Sequence, residues 1–162
     1  MVNIQPTRQS IRLRDFDYSS PNWYYVTICT QNREKALGKV VGDRAYLSPY
    51  GRIADSVWSQ LPNIYTMVEL DEYVVMPNHI HGIIGIKTTV KVAPTLGQII
   101  GVYKSKVLHE CLELAKIKEN ILGKLWQRNY YEHIVRDDND LIRIREYIRH
   151  NPINWTRDKL FS

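Results

Sequence analysis

The sequence predicts an α+β domain in which helices pack on an antiparallel sheet, and three features of the chain carry that prediction. Short runs rich in aromatic and β-branched residues alternate with segments whose apolar residues recur at helical spacing. Two of these runs are separated only by Pro77-Asn78, a turn-forming pair, so they read as a hairpin or a sharply bent pair. The chain has 162 residues and is 44% apolar, enough for one domain with a real core.

Taken in order, residues 1–22 form a polar, basic arm that reads as a loosely packed lead-in, carrying Arg8, Arg12 and Arg14 and ending in "YSSPN". "WYYVTICT", residues 23–30, is the first strand. "LGKVVGDRAYLS" follows as a small hairpin turned at Gly42-Asp43. In "SPYGRIADSVWSQLP" the residues Ile53, Ala54, Val57, Trp58 and Leu61 mark an amphipathic helix that Pro62 is expected to stop. "MVELDEYVVM" and "HIHGIIGI" are the two strands around Pro77-Asn78, and "KTTVKVAPT" is a loop. A long helix then starts with Thr95 and Gln98 in capping-box spacing, and Leu96, Ile99, Ile100, Tyr103, Val107 and Cys111 form its stripe. "LWQRNYYEHIVR" reads as extended, and "DDNDLIRIREYIRHNP" as a helix with acids at its positive end and Pro152 as its stop. No repeat, low-complexity tract or linker divides the chain, so residues 1–162 are expected to be a single domain. This order of elements fits a split βαβ, ferredoxin-like antiparallel sheet with its helices on one face.

A formal charge of +5 and a pI near 9.2 favour a polyanionic partner, although an ordinary basic protein has the same balance. The cations cluster: besides the arm, Lys104 and Lys106 share the long helix and Arg143, Arg145 and Arg149 share the last one. The N-terminal residues lack the basic start and apolar core of a signal peptide, and no apolar run approaches the roughly 20 residues that span a bilayer, so a soluble cytoplasmic protein is expected. Cys29 and Cys111 have no metal spacing and read as buried thiols.

Two histidines one residue apart in an apolar strand are the strongest chemical signal. Alternation puts His79 and His81 on one face while Ile80, Gly82, Ile84 and Ile86 point to the other. Their Cα atoms stand about 6.6 Å apart, two rises of a strand, so both rings can reach one metal ion at about 2 Å. A hydrogen-bonded, half-buried pair is the plainer alternative, but two imidazoles on one face of an apolar strand favour a metal. Gly82 lets something approach the backbone. In the last helix, Leu141, Ile144 and Ile148 define the buried stripe, with Tyr147 and Asn151 four residues apart on its flank. By these physical arguments alone Tyr147 is an amphipathic tyrosine, one of 11 in the chain, and Asn151 a helix-end residue.

"YVVMPNHIHGII" followed by a long basic helix, "WQRNYYEHIVRD" and "REYIRHNP" resembles the single-tyrosine HUH transposases, and among them the REP-associated tyrosine transposases related to the IS200/IS605 group. The resemblance runs from about Trp23 to Trp155. It implies a ferredoxin-like domain that cuts and rejoins single-stranded DNA beside a hairpin, with His79 and His81 as metal ligands and Tyr147 as nucleophile. It implies Asn151 as a third ligand, where the insertion-sequence transposases carry the longer Gln. It also implies Mg²⁺ or Mn²⁺, whereas two imidazoles alone suit zinc or manganese better than magnesium. The insertion-sequence relatives imply dimers and the REP-associated branch monomers; a monomer is expected. No general base can be named from the sequence, with His133, His150, the metal and water all open. Arg12, Arg14, Lys104, Lys106, Arg128, Tyr130 and Tyr131 are candidates for phosphate contact and base stacking. Two other readings compete with the nicking and joining enzyme: a non-catalytic protein that binds DNA hairpins, and a metal-dependent phosphodiesterase with water as nucleophile.

Overall fold

The computed structural model describes residues 16–87 and 93–161. Along the chain these form β1 (Asn22–Cys29), β2 (Gly38–Val41), β3 (Arg44–Leu47), α1 (Pro49–Ser59), α2 (Leu61–Ile64), β4 (Val68–Met76), β5 (His79–Ile86), α3 (Leu96–Ile117), β6 (Tyr131–Ile134) and α4 (Asp138–His150). β4, β5, β1 and β6 make one sheet in that order, each neighbouring pair antiparallel. The strands joined through α1, β1 and β4, flank β5, and those joined through α3, β5 and β6, flank β1. That is the split βαβ arrangement. β2 and β3 form a separate hairpin, and Gly42 takes the left-handed φ of 64° that its turn requires.

Local chemistry sets the element ends. Ser48 caps α1 by accepting from the Gly51 N–H, and Pro49 fits the first turn, where an N–H has no partner to lose. Pro62 does not stop the segment as expected: it falls in the first turn of α2, where proline is equally harmless. The Thr95–Gln98 capping box is complete, with Gln98 N donating to Thr95 Oγ1 at 3.2 Å and Thr95 N to Gln98 Oε1 at 2.8 Å. The end of the N-terminal arm is not loose. Phe16 and Tyr18 pack on the core, and the Tyr18 hydroxyl donates to Glu132 at 2.9 Å. Residues 1–15, with Arg8, Arg12 and Arg14, lie outside the described residues. Of the expected extended run, only Tyr131–Ile134 pairs as a strand; Trp126 makes a single bridge to Thr30.

The sheet has two differently covered faces. Tyr24, Val26 and Ile28 of β1 and Ile80, Ile84 and Ile86 of β5 join Trp58, Leu96, Ile99, Tyr103 and Val107 in the main core. Gly82 belongs to this face: a Cβ there would sit 2.2 Å from Trp58 Cζ2, so what approaches the backbone is the indole. On the opposite face Ile83 packs against Ile144 and Ile148 of α4, with Trp23, Tyr25, Val74 and Leu141 around them. Helices therefore cover both faces, not one. The reason lies in β5, which is buried along its whole length and needs apolar cover on each side.

α4 is also clamped at its edge. β4 bulges between Leu70 and Tyr73, setting two residues against one of β5, and those two are Asp71 and Glu72. Arg145 grips Asp71 with two contacts, Nε at 2.9 Å and a terminal nitrogen at 2.5 Å, and Arg149, one turn on, pairs with Glu72. Tyr147 lies between these two anchors.

Candidate active site

His79 and His81 project from β5 toward the α4 side, their ring centroids 4.4 Å apart and both side chains buried. The Pro77-Asn78 turn fixes the first. Asn78 Nδ2 donates to the carbonyls of Arg33 at 3.2 Å and Leu160 at 2.7 Å, which leaves Oδ1 facing His79 Nδ1 at 2.7 Å. An amide oxygen only accepts, so the His79 proton sits on Nδ1 and Nε2 keeps its lone pair. Across the β1 pairing, His81 Nδ1 lies 2.8 Å from the Tyr25 hydroxyl and 2.9 Å from Thr27 Oγ1, either of which can accept its proton. Burial pushes the His79 pKa down against the opposing pull of Asp158 and Asn151; it pushes the His81 pKa well down too, with help from His79. The result is two neutral imidazoles whose buried Nε2 atoms have no hydrogen-bond partner among the described residues.

α4 delivers the other groups. Asp137 caps it by accepting from the Asp140 N–H at 2.8 Å, and Ile144 and Ile148 seat it on the sheet. The Tyr147 ring then stands 5.3 Å from the His81 ring and remains 48% exposed. Its hydroxyl donates to Asp158 Oδ2 over 3.4 Å. Burial, followed by the negative charge of Asp158, raises the Tyr147 pKa. Asn151 is buried; its Nδ2 donates to Asp158 Oδ2 at 2.8 Å, so its Oδ1 faces elsewhere and has no partner among the described residues.

His79 Nε2, His81 Nε2 and Asn151 Oδ1 are thus three buried polar atoms without partners among the described residues, a situation that costs roughly 1–3 kcal/mol per atom when nothing fills it. Two imidazole nitrogens and an amide oxygen are a donor set that fits a divalent cation.

Asp158 was not foreseen. One ligand atom each from His79, His81 and Asp158 lies within 4.8 Å of the others. Asp158 follows Asn151 by seven residues, beyond Pro152 and a 3-10 turn at Trp155–Arg157, and no spacing rule points back from there to the strand. The same tail covers the histidines: the Trp155 ring is 5.9 Å from that of His79.

Tyr147 opens into a cleft of about 910 Å³ whose walls include Tyr25, His133, Arg143, His150, Arg157 and Lys159. His133 is engaged by Asp140 at 2.7 Å, and Arg143 holds the same carboxylate at 2.5 Å. His150 is exposed in the cleft. The candidate DNA contacts fall in several places. Lys104 sits on α3, across the sheet from α4, and donates to the carbonyls of Gln127 at 2.6 Å and Arg128 at 3.1 Å. Lys106 and Arg128 are exposed, Tyr130 is in the main core, and Tyr131, paired with Thr27, shares the histidine face. Arg157 and Lys159, which the sequence reading passed over, line the cleft instead.

The family described as "Transposase IS200 like" matches residues 19–151. The chain belongs to this family. An uncharacterised Haemophilus influenzae protein is 35% identical to this transposase over 95% of the chain and 93% of its own length. A second protein of that organism, provisionally assigned as a REP-associated tyrosine transposase, is 26% identical over 85% of the chain and 73% of its own. Among solved structures, a REP-associated tyrosine transposase bound to a REP hairpin superposes with a TM-score of 0.67 at 17% identity, covering 94% of this chain and 77% of that one. That likeness is one of fold. No helix among the described residues is long and apolar enough to cross a membrane.

Proposed function

We propose that this transposase cleaves and rejoins single-stranded DNA at hairpin, REP-like elements through a 5′-phosphotyrosine intermediate. Tyr147 is the nucleophile, and His79, His81 and Asn151 hold Mg²⁺ or Mn²⁺. The observation that carries this reading is the half-exposed Tyr147 ring beside a buried imidazole pair whose Nε2 atoms have no hydrogen-bond partner among the described residues. The REP hairpin bound by the solved neighbour supports the substrate class.

The chemistry exchanges one phosphodiester for another. The Tyr147 oxygen bonds to phosphorus, the P–O3′ bond breaks, and the 3′ oxygen leaves with a proton as a free hydroxyl. Because the ester is conserved in the covalent link, the reverse attack by a 3′-hydroxyl rejoins DNA without an external energy source. A bound divalent cation supplies Lewis-acid polarisation of the scissile phosphate and offsets charge on its oxygens. Tyr25 is the other tyrosine beside the pair, and its role differs. Burial raises its pKa, and its hydroxyl faces His81 Nδ1, so it orients the imidazole. Arg157 and Lys159 on the cleft wall suit phosphates of the incoming strand. Tyr147 reaches the His81 ring of its own chain at 5.3 Å, and the protein is read as a monomer acting in the cytoplasm.

The test uses labelled single-stranded hairpin DNA with Mn²⁺. A covalent protein–DNA adduct is expected from the wild type and none from Tyr147→Phe. Failure of the wild type to form it, or equal yield from the variant, overturns the reading. Hairpin binding indifferent to metal and to Tyr147 would point to a non-catalytic binder, and cut ends without an adduct to water as nucleophile.

A further inference from the structure

We propose that Asp158 is a fourth protein ligand of the divalent cation, giving the site the anionic oxygen that His79, His81 and Asn151 lack. The inference rests on the reading of those three residues as metal ligands. Its geometric basis is the 4.8 Å limit that encloses one atom from each of His79, His81 and Asp158, together with the Asn151–Asp158 hydrogen bond of 2.8 Å. The other three side chains each carry a buried atom with no hydrogen-bond partner among the described residues. Asp158 Oδ2 accepts from Asn151 Nδ2 at 2.8 Å and from the Tyr147 hydroxyl over 3.4 Å, whereas Oδ1 accepts only from the Leu160 N–H at 2.6 Å, so Oδ1 keeps a second lone pair for a cation.

Charge and hardness argue the same way. Two neutral imidazoles and an amide leave a divalent cation uncompensated in a buried site, whereas a carboxylate removes one of its two charges. Adding a second, anionic oxygen to two nitrogens moves the donor set away from a zinc preference and toward manganese and magnesium. The tail is also held well enough to present a ligand. The carbonyls of Leu160 and Lys159 accept from Asn78 Nδ2 and the Arg33 guanidinium, and the Asn78 that donates to Leu160 is the residue that fixes His79. Ligand and histidine are therefore positioned through one shared amide.

Mn²⁺ titration calorimetry on the full chain without DNA separates the possibilities. Wild type should bind and His81→Ala should not. Asp158→Asn, nearly isosteric, should bind at least about tenfold more weakly, a loss of the size expected for a residue of a metal site. Asp158→Cys should lose Mn²⁺ and gain Cd²⁺, with a cadmium–thiolate ultraviolet band beyond any shown by the wild type; this variant decides the matter if Asp158→Asn fails to fold. Mn²⁺ affinity unchanged in folded Asp158→Asn, or no new cadmium band in folded Asp158→Cys, overturns the proposal and leaves Asp158 as a positioning residue for Asn151 and Tyr147. No Mn²⁺ binding by the wild type, or undiminished binding by His81→Ala, overturns the three-residue reading and this proposal with it.

Discussion

On one side of β5, Ile80, Gly82, Ile84 and Ile86 lie against Trp58 and the main core under α1 and α3; on the other, His79, His81 and Ile83 lie under α4. Both sides are buried, yet they are covered by different means. The first uses continuous apolar packing, in which the Trp58 Nε1 is buried without a partner among the described residues, and leaves room only for what fits it, as Gly82 does for the indole. The second has a small apolar seat, Ile83 with Ile144 and Ile148, and relies on ion pairs from Arg145 and Arg149 to the β4 bulge. It leaves His79, His81 and Asn151 with unpartnered atoms. Apolar packing on one face thus stabilises a fold in which the other face can keep costly polar atoms in place for chemistry.

Four changes would break or sharpen that contrast. Trp58→Ala on the apolar side should cost about 3–5 kcal/mol in chemical denaturation, the range for removing a buried aromatic. Arg145→Ala should cost about 1.5–3 kcal/mol, because it strips a two-contact, charge-assisted partner from the partly buried Asp71. It should also lower adduct yield by loosening α4, which a surface substitution away from the cleft, such as Glu110→Gln on α3, should not do. A much smaller change is expected for His81→Leu: measured without metal, its stability should stay within about 1 kcal/mol of the wild type, since loss of the unpartnered Nε2 offsets loss of the Nδ1 bonds to Tyr25 and Thr27, which still bond to each other.

The smallest effect is an acid limb. Arg145 holds the Asp71 carboxyl below its usual pKa, and His133, then Arg143, hold Asp140 lower still. A carboxylate depressed in the folded state stabilises the protein fully above its unfolded pKa, near 4, and loses that contribution as pH falls through the folded value. Burial of neutral His79 and His81 already lowers stability as pH falls below the ordinary imidazole pKa, near 6.5. Urea midpoints should fall further below about pH 4, and that further decline should be shallower in Asp71→Asn than in the wild type.

Much of this was legible in the sequence because it depends on local periodicity. A period of two put His79 and His81 on one face, a period of 3.6 put Tyr147 and Asn151 on the flank of a helix, and the Thr95–Gln98 spacing marked where α3 begins. What stayed hidden depends on which surfaces meet. Alternation divides a strand into two faces but does not say that α4 covers one and α3 the other, so a single helical layer was expected. Asp71 and Arg145 are 74 residues apart, and only the bulge brings the two acids opposite two arginines one turn apart. Asp158 was hidden for a related reason: it reaches the site through a 3-10 turn after a proline, where neither period applies.

The most direct test of Tyr147 as the nucleophile is to find which tyrosine carries the DNA. The adduct formed on hairpin DNA with Mn²⁺ is digested with trypsin after nuclease trimming, and the nucleotide-bearing peptide is sequenced by mass spectrometry. The account predicts the phosphate on the peptide Glu146–Arg149, which contains Tyr147 as its sole tyrosine. A phosphate on the peptide containing Tyr25 or on that containing Tyr131, both also on the histidine face, would contradict it.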